Sequence, residues 1–333
     1  MSSVSQTPNV LVTGGAGYIG SHACKLLSLA GYTPVTLDNL STGWARAVKF
    51  GPFVQADLLD RTALDAAFAQ YQPVAVMHFA ALSQVAEASR DPGLYWRNNV
   101  GGSLNLVEAM LAAGCRNMIF SSTCATYGDQ DGVVLDEHTP QMPLNAYGAS
   151  KRAVEDMLRN FGDSHALNSV ILRYFNVAGA DPEAEVGEWH QPETHLIPLM
   201  IEAAAGARDA LVIHGNDYPT HDGTCIRDYV HVMDLVHAHV LGLEWLRAGK
   251  GSRVFNLGTG VGFSVAEVIR QCRAGTGHRV PHSFGPRRDG DAAALVSGSS
   301  RAIEELGWVP ERSSLKQMIE DAWRWYQTGG YSG

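Results

Sequence analysis

Asn9-Val-Leu-Val-Thr13, followed directly by Gly14-Gly-Ala-Gly17-Tyr-Ile-Gly20, is the stretch that indicates how this chain folds. The apolar run predicts a buried strand, Asn9–Thr13, and the pattern after the first glycines predicts a helix, Ile19–Ala30. Glycines at this spacing make a tight turn, let the backbone approach a pyrophosphate and permit close packing of helix on strand. An ordinary glycine turn is the alternative, but its place between strand and helix favours dinucleotide binding.

Asp38 supports this interpretation, because it ends the next predicted strand, Thr33–Leu37, eighteen residues after Gly20. A carboxylate at this place can bond both ribose hydroxyls and would repel a 2′-phosphate, so NAD is favoured over NADP. Taken alone, Asp38 could instead cap a turn or a helix.

Strand-like apolar runs alternate with helical patterns through the first half of the chain. Helices are predicted around Tyr147 and over Val100–Ala113, and further strands over Phe53–Ala56, Ala75–Phe79, Met118–Ser122 and Ser169–Tyr174. Such alternation predicts right-handed βαβ units and a parallel sheet covered on both faces. We therefore predict an α/β fold with a Rossmann-type doubly wound parallel sheet, in which ligands bind beyond the carboxyl ends of the strands.

The pattern changes after about Gly179. A long acidic loop with Pro and Gly, Asp181–Thr194, indicates a boundary or a substrate lid. Helices are predicted after it over Leu196–Ala207, Val232–Leu246, Val265–Gly275 and Ser314–Gln327. We predict an NAD-binding domain over residues 1–178 and a smaller mixed α/β substrate-binding domain over 179–333, with part of 225–260 returning to the first domain.

The 333 residues carry a formal charge of −9, which argues against a nucleic-acid or anionic-membrane partner. No apolar run approaches the roughly 18 residues that span a bilayer, and the N-terminus lacks the regions of a signal peptide. The histidines show no ligand-like cluster, and no Cys-x-x-Cys pair occurs among Cys24, Cys115, Cys124, Cys225 and Cys272. We therefore expect a cytoplasmic protein with neither disulfides nor a metal site.

Tyr147 and Lys151 stand four residues apart, so both side chains leave the same face of a predicted helix. A phenol is a poor base at neutral pH because its ordinary pKa is near 10, and an ammonium one turn away favours the phenolate. Three hydroxyls at a strand end, Ser121-Ser122-Thr123, can donate to a reacting oxygen. Each feature alone is common on a solvated helix or loop, but together with the glycine turn they favour catalysis.

Other motifs carry a resemblance to a known family. The glycine turn and Tyr147-Gly-Ala-Ser-Lys151 occur together with His78-Phe-Ala-Ala81 and Leu172-Arg-Tyr-Phe-Asn176, a combination that resembles the extended short-chain dehydrogenase/reductases. With Gly215-Asn-Asp-Tyr-Pro219 and the motif from Asp222 to Asp234, nearly the whole chain resembles the UDP-glucose 4-epimerases (UDP-galactose 4-epimerases). Ser121–Gly128 and Glu193–Pro198 are similar to forms found in bacterial exopolysaccharide pathways.

The resemblance implies epimerisation of UDP-glucose and UDP-galactose at C4, through a 4-keto intermediate and with tightly bound NAD. Tyr147 would be the base on the sugar 4-hydroxyl, Lys151 its pKa partner and ribose contact, and Thr123 a hydroxyl that helps the proton move. The residues predicted to hold NAD are Gly14, Gly17, Tyr18, Ile19, Gly20, Asp38, Asn39, Leu40, Asp57, Leu58, Phe79, Ala80, Ala81, Ser83, Asn98, Ser121, Tyr147, Lys151 and Phe175. The residues predicted to hold the UDP-sugar are Thr123, Tyr147, Asn176, His195, Leu196, Val212, His214, Arg227, Arg288, Asp291 and Leu295. The resemblance also implies a homodimer through helices near residues 100 and 155.

Three positions bear on cofactor and substrate detail. Ser83 stands where many family members have a lysine near the cofactor, and His195 stands where an asparagine is common. At Leu295, a bulky aromatic in the family limits the pocket to unmodified hexoses and a small residue admits N-acetyl groups. Leucine, intermediate in size, predicts a preference for UDP-glucose over UDP-N-acetylglucosamine.

Three alternative functions remain. A nucleotide-sugar 4,6-dehydratase commonly has an Asp-Glu pair after the threonine, where this chain has Cys124 and Ala125, and this weighs against dehydration. An epimerase for UDP-xylose and UDP-arabinose would share every catalytic residue. A non-catalytic NAD-binding module would be expected to have lost Tyr147, Lys151 or Thr123, and this chain has all three.

Overall fold

The structure, a computed structural model, describes residues 7–130, 134–288 and 292–332. Its strands are β1 (Asn9–Thr13), β2 (Thr33–Asp38), β3 (Phe53–Gln55), β4 (Ala75–His78), β5 (Asn117–Thr123), β6 (Val134–Leu135), β7 (Asn168–Tyr174), β8 (Asn176–Ala178), β9 (Leu211–His214), β10 (Ile226–His231), β11 (Arg253–Leu257), β12 (Gly262–Ser264), β13 (His282–Gly285) and β14 (Ala294–Ser297). Its α-helices are α1 (Tyr18–Leu29), α2 (Arg61–Tyr71), α3 (Val85–Arg90), α4 (Pro92–Tyr95), α5 (Gly102–Ala112), α6 (Ala146–His165), α7 (Leu196–Ala204), α8 (Val232–Arg247), α9 (Val265–Thr276) and α10 (Leu315–Gln327).

One sheet has the strand order β11-β7-β5-β4-β1-β2-β3. The pairs β1–β2, β1–β4, β2–β3 and β4–β5 are parallel, as the alternating pattern predicts. The chain builds the sheet outward from β1 in both directions, with β2 on one side and β4 on the other. This is the switch point at which doubly wound sheets bind ligands. The predicted Rossmann-type α/β fold is confirmed.

The chain divides into two compact units that interleave along the sequence. The first contains the described residues up to Ser122, with Asn145–Leu172 and Val236–Val254. The second contains Thr123–Leu144, Arg173–Leu235 and the described residues from Phe255 onward. The predicted division has a main break near residue 179 and a return of part of 225–260 to the first domain, and in the structure the chain passes between the units five times. The assignment of NAD to 1–178 and of the substrate to 179–333 stays a prediction.

The first unit has a core formed by apolar strands and the helices beside them. Leu11, Val76 and Phe120 belong to one buried cluster together with Leu106 of α5 and Leu158 of α6. Burial of each such side chain contributes about 1.5–3 kcal/mol, so strands without polar alternation become central strands. The helix predicted from Val100 begins as a regular α-helix at Gly102, because a π-helical segment, Trp96–Gly101, precedes it.

The second unit contains a mixed sheet of order β12-β10-β14-β6, in which β8 also pairs with β10. Strands β9 and β13 form a separate parallel pair. Helices α7, α9 and α10 pack together on a buried cluster that includes Met200, Val268, Met318 and Ile319. This arrangement agrees with the predicted mixed α/β character, and the smaller size predicted for a substrate-binding domain stays a prediction.

The acidic stretch Asp181–Thr194 lies inside the second unit. Its backbone is held by helix α10, because Trp325 Nε1 donates to the Glu188 carbonyl oxygen at 2.9 Å. Its role as a lid stays a prediction. Among the described residues, the helices are too short or too polar to cross a membrane.

Candidate active site

The glycine turn joins β1 to α1. Gly14 has φ +72°, and a Cβ there would lie 2.6 Å from the backbone nitrogen of Ala80. A Cβ on Gly20 would lie 2.1 Å from the Gly14 carbonyl oxygen, so the turn itself requires glycine at both positions. Gly17 differs, because a Cβ there would meet only that carbonyl oxygen, at 3.3 Å.

Gly17 is also the N-cap of α1, and it offers no side chain to the first amides of the helix. The first amides of a helix have no partner within the helix, and together with the helix dipole they attract anions. Tyr18 and Ile19 supply the first of these amides. The turn therefore fits the pyrophosphate of a dinucleotide. A pyrophosphate accepts hydrogen bonds from backbone amides, and a side chain on the turn would keep it away from them.

Asp38 ends β2 beside this turn and is buried. Its Oδ2 accepts a hydrogen bond from the amide of Ala16 at 3.0 Å, and its Oδ1 accepts one from the amide of Leu40 at 2.8 Å. Burial raises the pKa of Asp38, and these two amides oppose the shift. Each carboxylate oxygen has a second lone pair, so Asp38 can cap the turn and still accept a ribose hydroxyl.

Asn39 and Asp57 extend this polar edge of the sheet. The side-chain amide of Asn39 donates to Asp57 Oδ2 at 2.7 Å. Leu40 has a left-handed φ of +61°, which turns the chain away from β2. Leu58 was also predicted to hold NAD. Unlike the polar side chains of Asn39 and Asp57, its side chain belongs to the buried core of the first unit.

The segment after β4 contains Phe79, Ala80 and Ala81. The amides of Phe79 and Ala80 both donate to the Thr13 carbonyl oxygen, at 3.0 and 3.1 Å. The predicted cofactor residues after β4 are thereby joined to the end of β1. Ser83 follows as an exposed residue.

Asn99 holds the next part of this segment, and it was not among the residues predicted from the sequence. Its side chain accepts from the Leu82 amide at 2.9 Å and donates to the Leu82 carbonyl oxygen at 3.0 Å. It also donates to Ser150 Oγ on α6 at 3.0 Å and accepts from Asn98 Nδ2 at 3.0 Å. Asn98, which was predicted to contact the cofactor, thus donates to the buried side chain of Asn99, and Asn99 holds this segment in place.

His78 forms a second buried network that the sequence did not predict. Its Nδ1 lies 2.7 Å from Thr13 Oγ1, and its Nε2 lies 2.8 Å from Ser103 Oγ. Burial lowers the pKa of His78 to about 3, and Lys151 adds to the shift, so the ring is neutral. One ring nitrogen donates and the other accepts, which ties β1 and β4 to α5 below the turn.

Tyr147 lies in the first turn of α6. Asn145 is the N-cap, and its Oδ1 accepts from the Gly148 amide at 2.9 Å. This bond fixes where the helix starts and therefore which way Tyr147 and Lys151 point. Tyr147 is half-buried, whereas Lys151 is only 3% exposed.

Lys151 contacts the end of β5. Its Nζ donates to the Ser121 carbonyl oxygen at 2.8 Å and lies 4.8 Å from the centroid of the Phe120 ring. Burial lowers the pKa of Lys151 to about 7, and Glu155 opposes the shift. Glu155 is fully buried and accepts from Ser122 Oγ at 2.5 Å.

Thr123 is the last residue of β5 and is buried. Its Oγ1 accepts from the Ala125 amide at 3.1 Å, and a hydroxyl group also has one hydrogen to donate. The next residue, Cys124, is a neutral thiol, because burial raises its pKa to about 12. The positions of the dehydratase acids thus carry no carboxylate.

Strand β10 brings together three residues that were predicted to hold the substrate. Arg227 lies opposite Leu295 of β14 in the register, and Asn176 of β8 lies opposite Tyr229. Arg227 Nη1 donates to the carbonyl oxygen of Ala292 at 2.9 Å. The second unit therefore contains a local group of Asn176, Arg227 and Leu295.

The other predicted substrate residues are spread over the second unit. Val212 and His214 lie on β9, and Arg288 is exposed after β13. His195 is the N-cap of α7 and Leu196 its first residue. Asp291 lies outside the described residues.

Phe175, predicted to contact NAD, lies in a small buried cluster of the second unit. The cluster contains Cys124, Tyr127 and Leu135, and Leu295 packs against it. A change in the size of the side chain at position 295 would therefore alter its packing against this cluster.

Four side chains of the loop before α7 lie together, although the sequence predicted no such group. Glu188, His190, Glu193 and His195 each place one nitrogen or oxygen within 4.8 Å of the others. Burial alone would raise the pKa of Glu188, but His195 and His190 lower it to about 2. Burial opposes protonation of His190, yet Glu188 and Glu193 raise its pKa to about 10.

The NAD dependent epimerase/dehydratase family matches residues 10–258, a range that includes the glycine turn, Asp38, Tyr147 and Lys151. The chain belongs to this family. The predicted cofactor, NAD, is confirmed by this membership, and so is the predicted family resemblance. The roles of individual residues stay predictions.

This epimerase/dehydratase chain is similar to proteins from several bacteria. A UDP-glucose 4-epimerase of Rhizobium leguminosarum bv. trifolii is 48% identical over 317 residues, which cover 95% of this chain and 97% of that protein. The crystal structure of UDP-glucose 4-epimerase from Brucella ovis in complex with NAD is 48% identical, with a TM-score of 0.93, covering 95% of this chain and 98% of that one.

A third relative bears on substrate choice. The crystal structure of UDP-glucose-4-epimerase from Stenotrophomonas maltophila, with bound NAD and formylated UDP-arabinopyranose, is 42% identical. Its TM-score is 0.93, and the match covers 97% of this chain and 98% of that one.

Proposed function

We propose that this protein interconverts UDP-glucose and UDP-galactose by epimerisation at C4, through a 4-keto sugar and with tightly bound NAD. The observation that carries the proposal is the buried Lys151 one helical turn after Tyr147, in the unit that contains the glycine turn and Asp38. The similarity to UDP-glucose 4-epimerases over nearly the whole chain supports the choice of substrate.

Tyr147 acts as the base that takes the proton of the sugar 4-hydroxyl and later returns it. Lys151 lowers the cost of the phenolate, because an ammonium in a buried setting interacts strongly with a nearby anion. Thr123 donates its hydroxyl hydrogen to the reacting oxygen and so helps the proton move. Bound NAD would supply the acceptor for the hydride that leaves C4 and the donor for its return to the opposite face of the keto sugar.

The dinucleotide is held by the N-terminus of α1, by Asp38 and by the residues after β2, β3 and β4. Because NAD is regenerated in each turnover, tight binding costs the reaction nothing. Asp38 and Asn39 meet the ribose hydroxyls, which favours NAD over its 2′-phosphorylated form.

The UDP part is held by Asn176, His195, Arg227, Arg288 and Asp291. The two guanidinium groups match the charge and geometry of a diphosphate. A firm grip on UDP with few bonds to the sugar allows the keto sugar to turn over and present its other face. Leu196, Val212, His214 and Leu295 are proposed to line the sugar and uridine contacts.

A pentose substrate is the second candidate. The neighbour that binds formylated UDP-arabinopyranose favours it, and the catalytic residues would be the same. Dehydration is disfavoured, because Cys124 and Ala125 offer no acid or base at the required positions.

We further propose a cytoplasmic homodimer. All five cysteines are free thiols, which suits a reducing compartment. The dimer contact is proposed through α5 and α6, near residues 100 and 155, where Trp96 and Leu104 expose apolar surface. Light scattering on the purified protein measures its molar mass in solution and so distinguishes a dimer from a monomer.

The deciding experiment is NMR of the purified protein with each UDP-sugar in turn, without added NAD. Conversion of UDP-glucose to UDP-galactose, and release of NAD(H) on denaturation, are expected. Faster conversion of UDP-xylose or UDP-arabinose would establish the pentose candidate instead. An absolute need for added cofactor with net NADH production would indicate an ordinary dehydrogenase.

A further inference from the structure

The loop between β8 and α7 carries a mixed group of imidazoles and carboxylates that the proposed epimerase chemistry does not use as a set. Both histidines direct Nδ1 toward the same oxygen, Glu188 Oε1. The His190 Nδ1 atom lies 3.2 Å from it, and His195 Nδ1 is in direct contact with it. Glu193 Oε1 lies 3.7 Å from the same His190 Nδ1 atom.

The two spacings at His190 are close to those of ligands around one small cation, whereas the contact between His195 and Glu188 is shorter. Zinc bound by nitrogen and oxygen at about 2.0–2.2 Å has neighbouring tetrahedral ligand atoms about 3.3–3.6 Å apart. The two distances at His190, 3.2 and 3.7 Å, bracket this value. The His195 ring would move outward to admit the ion, and its half-exposed position allows this.

The two carboxylates also need positive charge near them. The side chains of Glu188 and Glu193 are only 5% and 4% exposed, and their oxygens lie within 4.8 Å of each other. Like charges buried at this separation repel each other unless positive charge compensates, and protonated His190 and His195 can supply it. A divalent ion with neutral imidazoles would replace those two protons and keep the group of four neutral.

The backbone around the group is fixed by the C-terminal part of the same unit. The Glu188 carbonyl oxygen accepts from Trp325 Nε1, and a Cβ on Gly187 would lie 2.3 Å from the Trp325 ring. Glu193 Oε1 accepts from the amides of Thr194 and His195, at 2.7 and 2.8 Å. These contacts hold carboxylates in place in the way that outer partners hold metal ligands.

We propose that Glu188, His190, Glu193 and His195 form a binding site for one divalent transition cation of the zinc class. Imidazole and carboxylate ligands select such ions over Mg²⁺ and Ca²⁺, which take oxygen ligands. Four protein ligands fill a tetrahedral shell, so the ion is structural. It would fix the loop at the N-terminus of α7 and orient the His195 ring through its Nδ1 atom.

The test uses tag-free full-length protein, treated with chelator and then titrated with Zn²⁺ by calorimetry, with bound metal counted by mass spectrometry. We expect about one Zn²⁺ per chain, a raised melting temperature and little response to Mg²⁺. Co²⁺ in place of Zn²⁺ should give the intense visible absorption of a tetrahedral site.

His190→Gln should weaken Zn²⁺ binding at least tenfold and abolish the rise in melting temperature. Glu188→Gln tests the buried ligand, and His190→Gln keeps the test valid if that variant does not fold. Glu183→Gln is the matched control, because Asp181, Glu183 and Glu185 form an acidic group in the same loop without histidines. Absence of stoichiometric Zn²⁺ binding, equal binding by His190→Gln, or equal loss in Glu183→Gln overturns the proposal, and none of these readouts depends on epimerase activity.

Discussion

Ser122 Oγ donates to Glu155 Oε1 at 2.5 Å, and both side chains are buried. Glu155 follows Lys151 by four residues on α6, so it lies on the same face one turn later. Lys151 donates to the carbonyl oxygen of Ser121, the residue before Ser122. A buried cation and a carboxylate of the same helix thus both contact the end of β5, where the hydroxyl of Thr123 follows.

Glu155→Gln should reduce turnover by about tenfold at neutral pH, because it removes the charge that opposes the fall of the Lys151 pKa. Less ammonium would then support the Tyr147 phenolate, and the high-pH limb of the rate profile should move to lower pH. The measurement is kcat and KM against pH. Asp156→Asn, an exposed neighbour on α6, is the control. A uniform loss of activity with an unmoved pH profile would indicate only a structural role for Glu155.

Tyr147→Phe should lower kcat by about two to four orders of magnitude, because the phenol is the proton acceptor. The affinity for UDP should change little, since the proposed UDP contacts belong to other residues. Steady-state rates together with UDP titration separate the two effects. Near-normal turnover in Tyr147→Phe would remove this residue from the mechanism.

Lys151 should make folding stability depend on pH. Its pKa is lowered to about 7 in the folded protein, so between pH 7 and 10.5 the unfolded chain binds a proton that the folded chain lacks. The free energy of unfolding should therefore rise in this window, by about 1.4 kcal/mol per pH unit for one proton. Below pH 7 both states are protonated and this dependence ends.

Lys151→Met should remove this slope, as measured by denaturant unfolding at matched cofactor content. Lys316→Met is the control, because Lys316 is exposed. If the wild type and Lys151→Met have parallel stability curves, the lysine keeps its ordinary pKa in the folded protein.

Asp38→Asn should reduce the amount of NAD that copurifies and should weaken discrimination against NADP. The amide lacks the charge that repels a 2′-phosphate and accepts fewer hydrogen bonds. Nucleotide released on denaturation, and NADP binding to the stripped protein, are the readouts. Asp60→Asn, which changes the exposed N-cap of α2, should leave both unchanged. Full NAD retention with unaltered selectivity would assign Asp38 to the turn alone.

Leu295→Ser should improve turnover of UDP-N-acetylglucosamine relative to UDP-glucose. Leu295→Tyr should abolish turnover of UDP-N-acetylglucosamine. Leu295 packs against a buried cluster, so an acetamido group that displaces it costs about 1–3 kcal/mol. The ratio of kcat/KM for the two sugars is the measurement, and UDP-glucose serves as the internal control. Equal use of both sugars by the wild type, or an unchanged ratio in the variants, would exclude Leu295 as the determinant.

The sequence by itself determined the features that depend on neighbouring residues. The run from Asn9 to Gly20 predicted β1, its turn and α1, because hydrophobic period and glycine spacing are local properties. The Tyr147/Lys151 spacing predicted a shared helix face for the same reason. Alternation of strands and helices was enough for the parallel α/β class, since few topologies join such elements.

Only the tertiary structure decided which distant residues meet. Three hydrogen-bonded pairs are far apart in the sequence: Glu155 with Ser122, Asn99 with Ser150, and Thr13 with His78, separated by 33, 51 and 65 residues. Patterns within a single sequence do not indicate which residues at such separations will meet. The same holds for Glu188, His190, Glu193 and His195, whose irregular spacing matches neither a helix nor a strand. Trp325, far along the chain, donates to the Glu188 carbonyl oxygen and so helps to fix the loop that carries them.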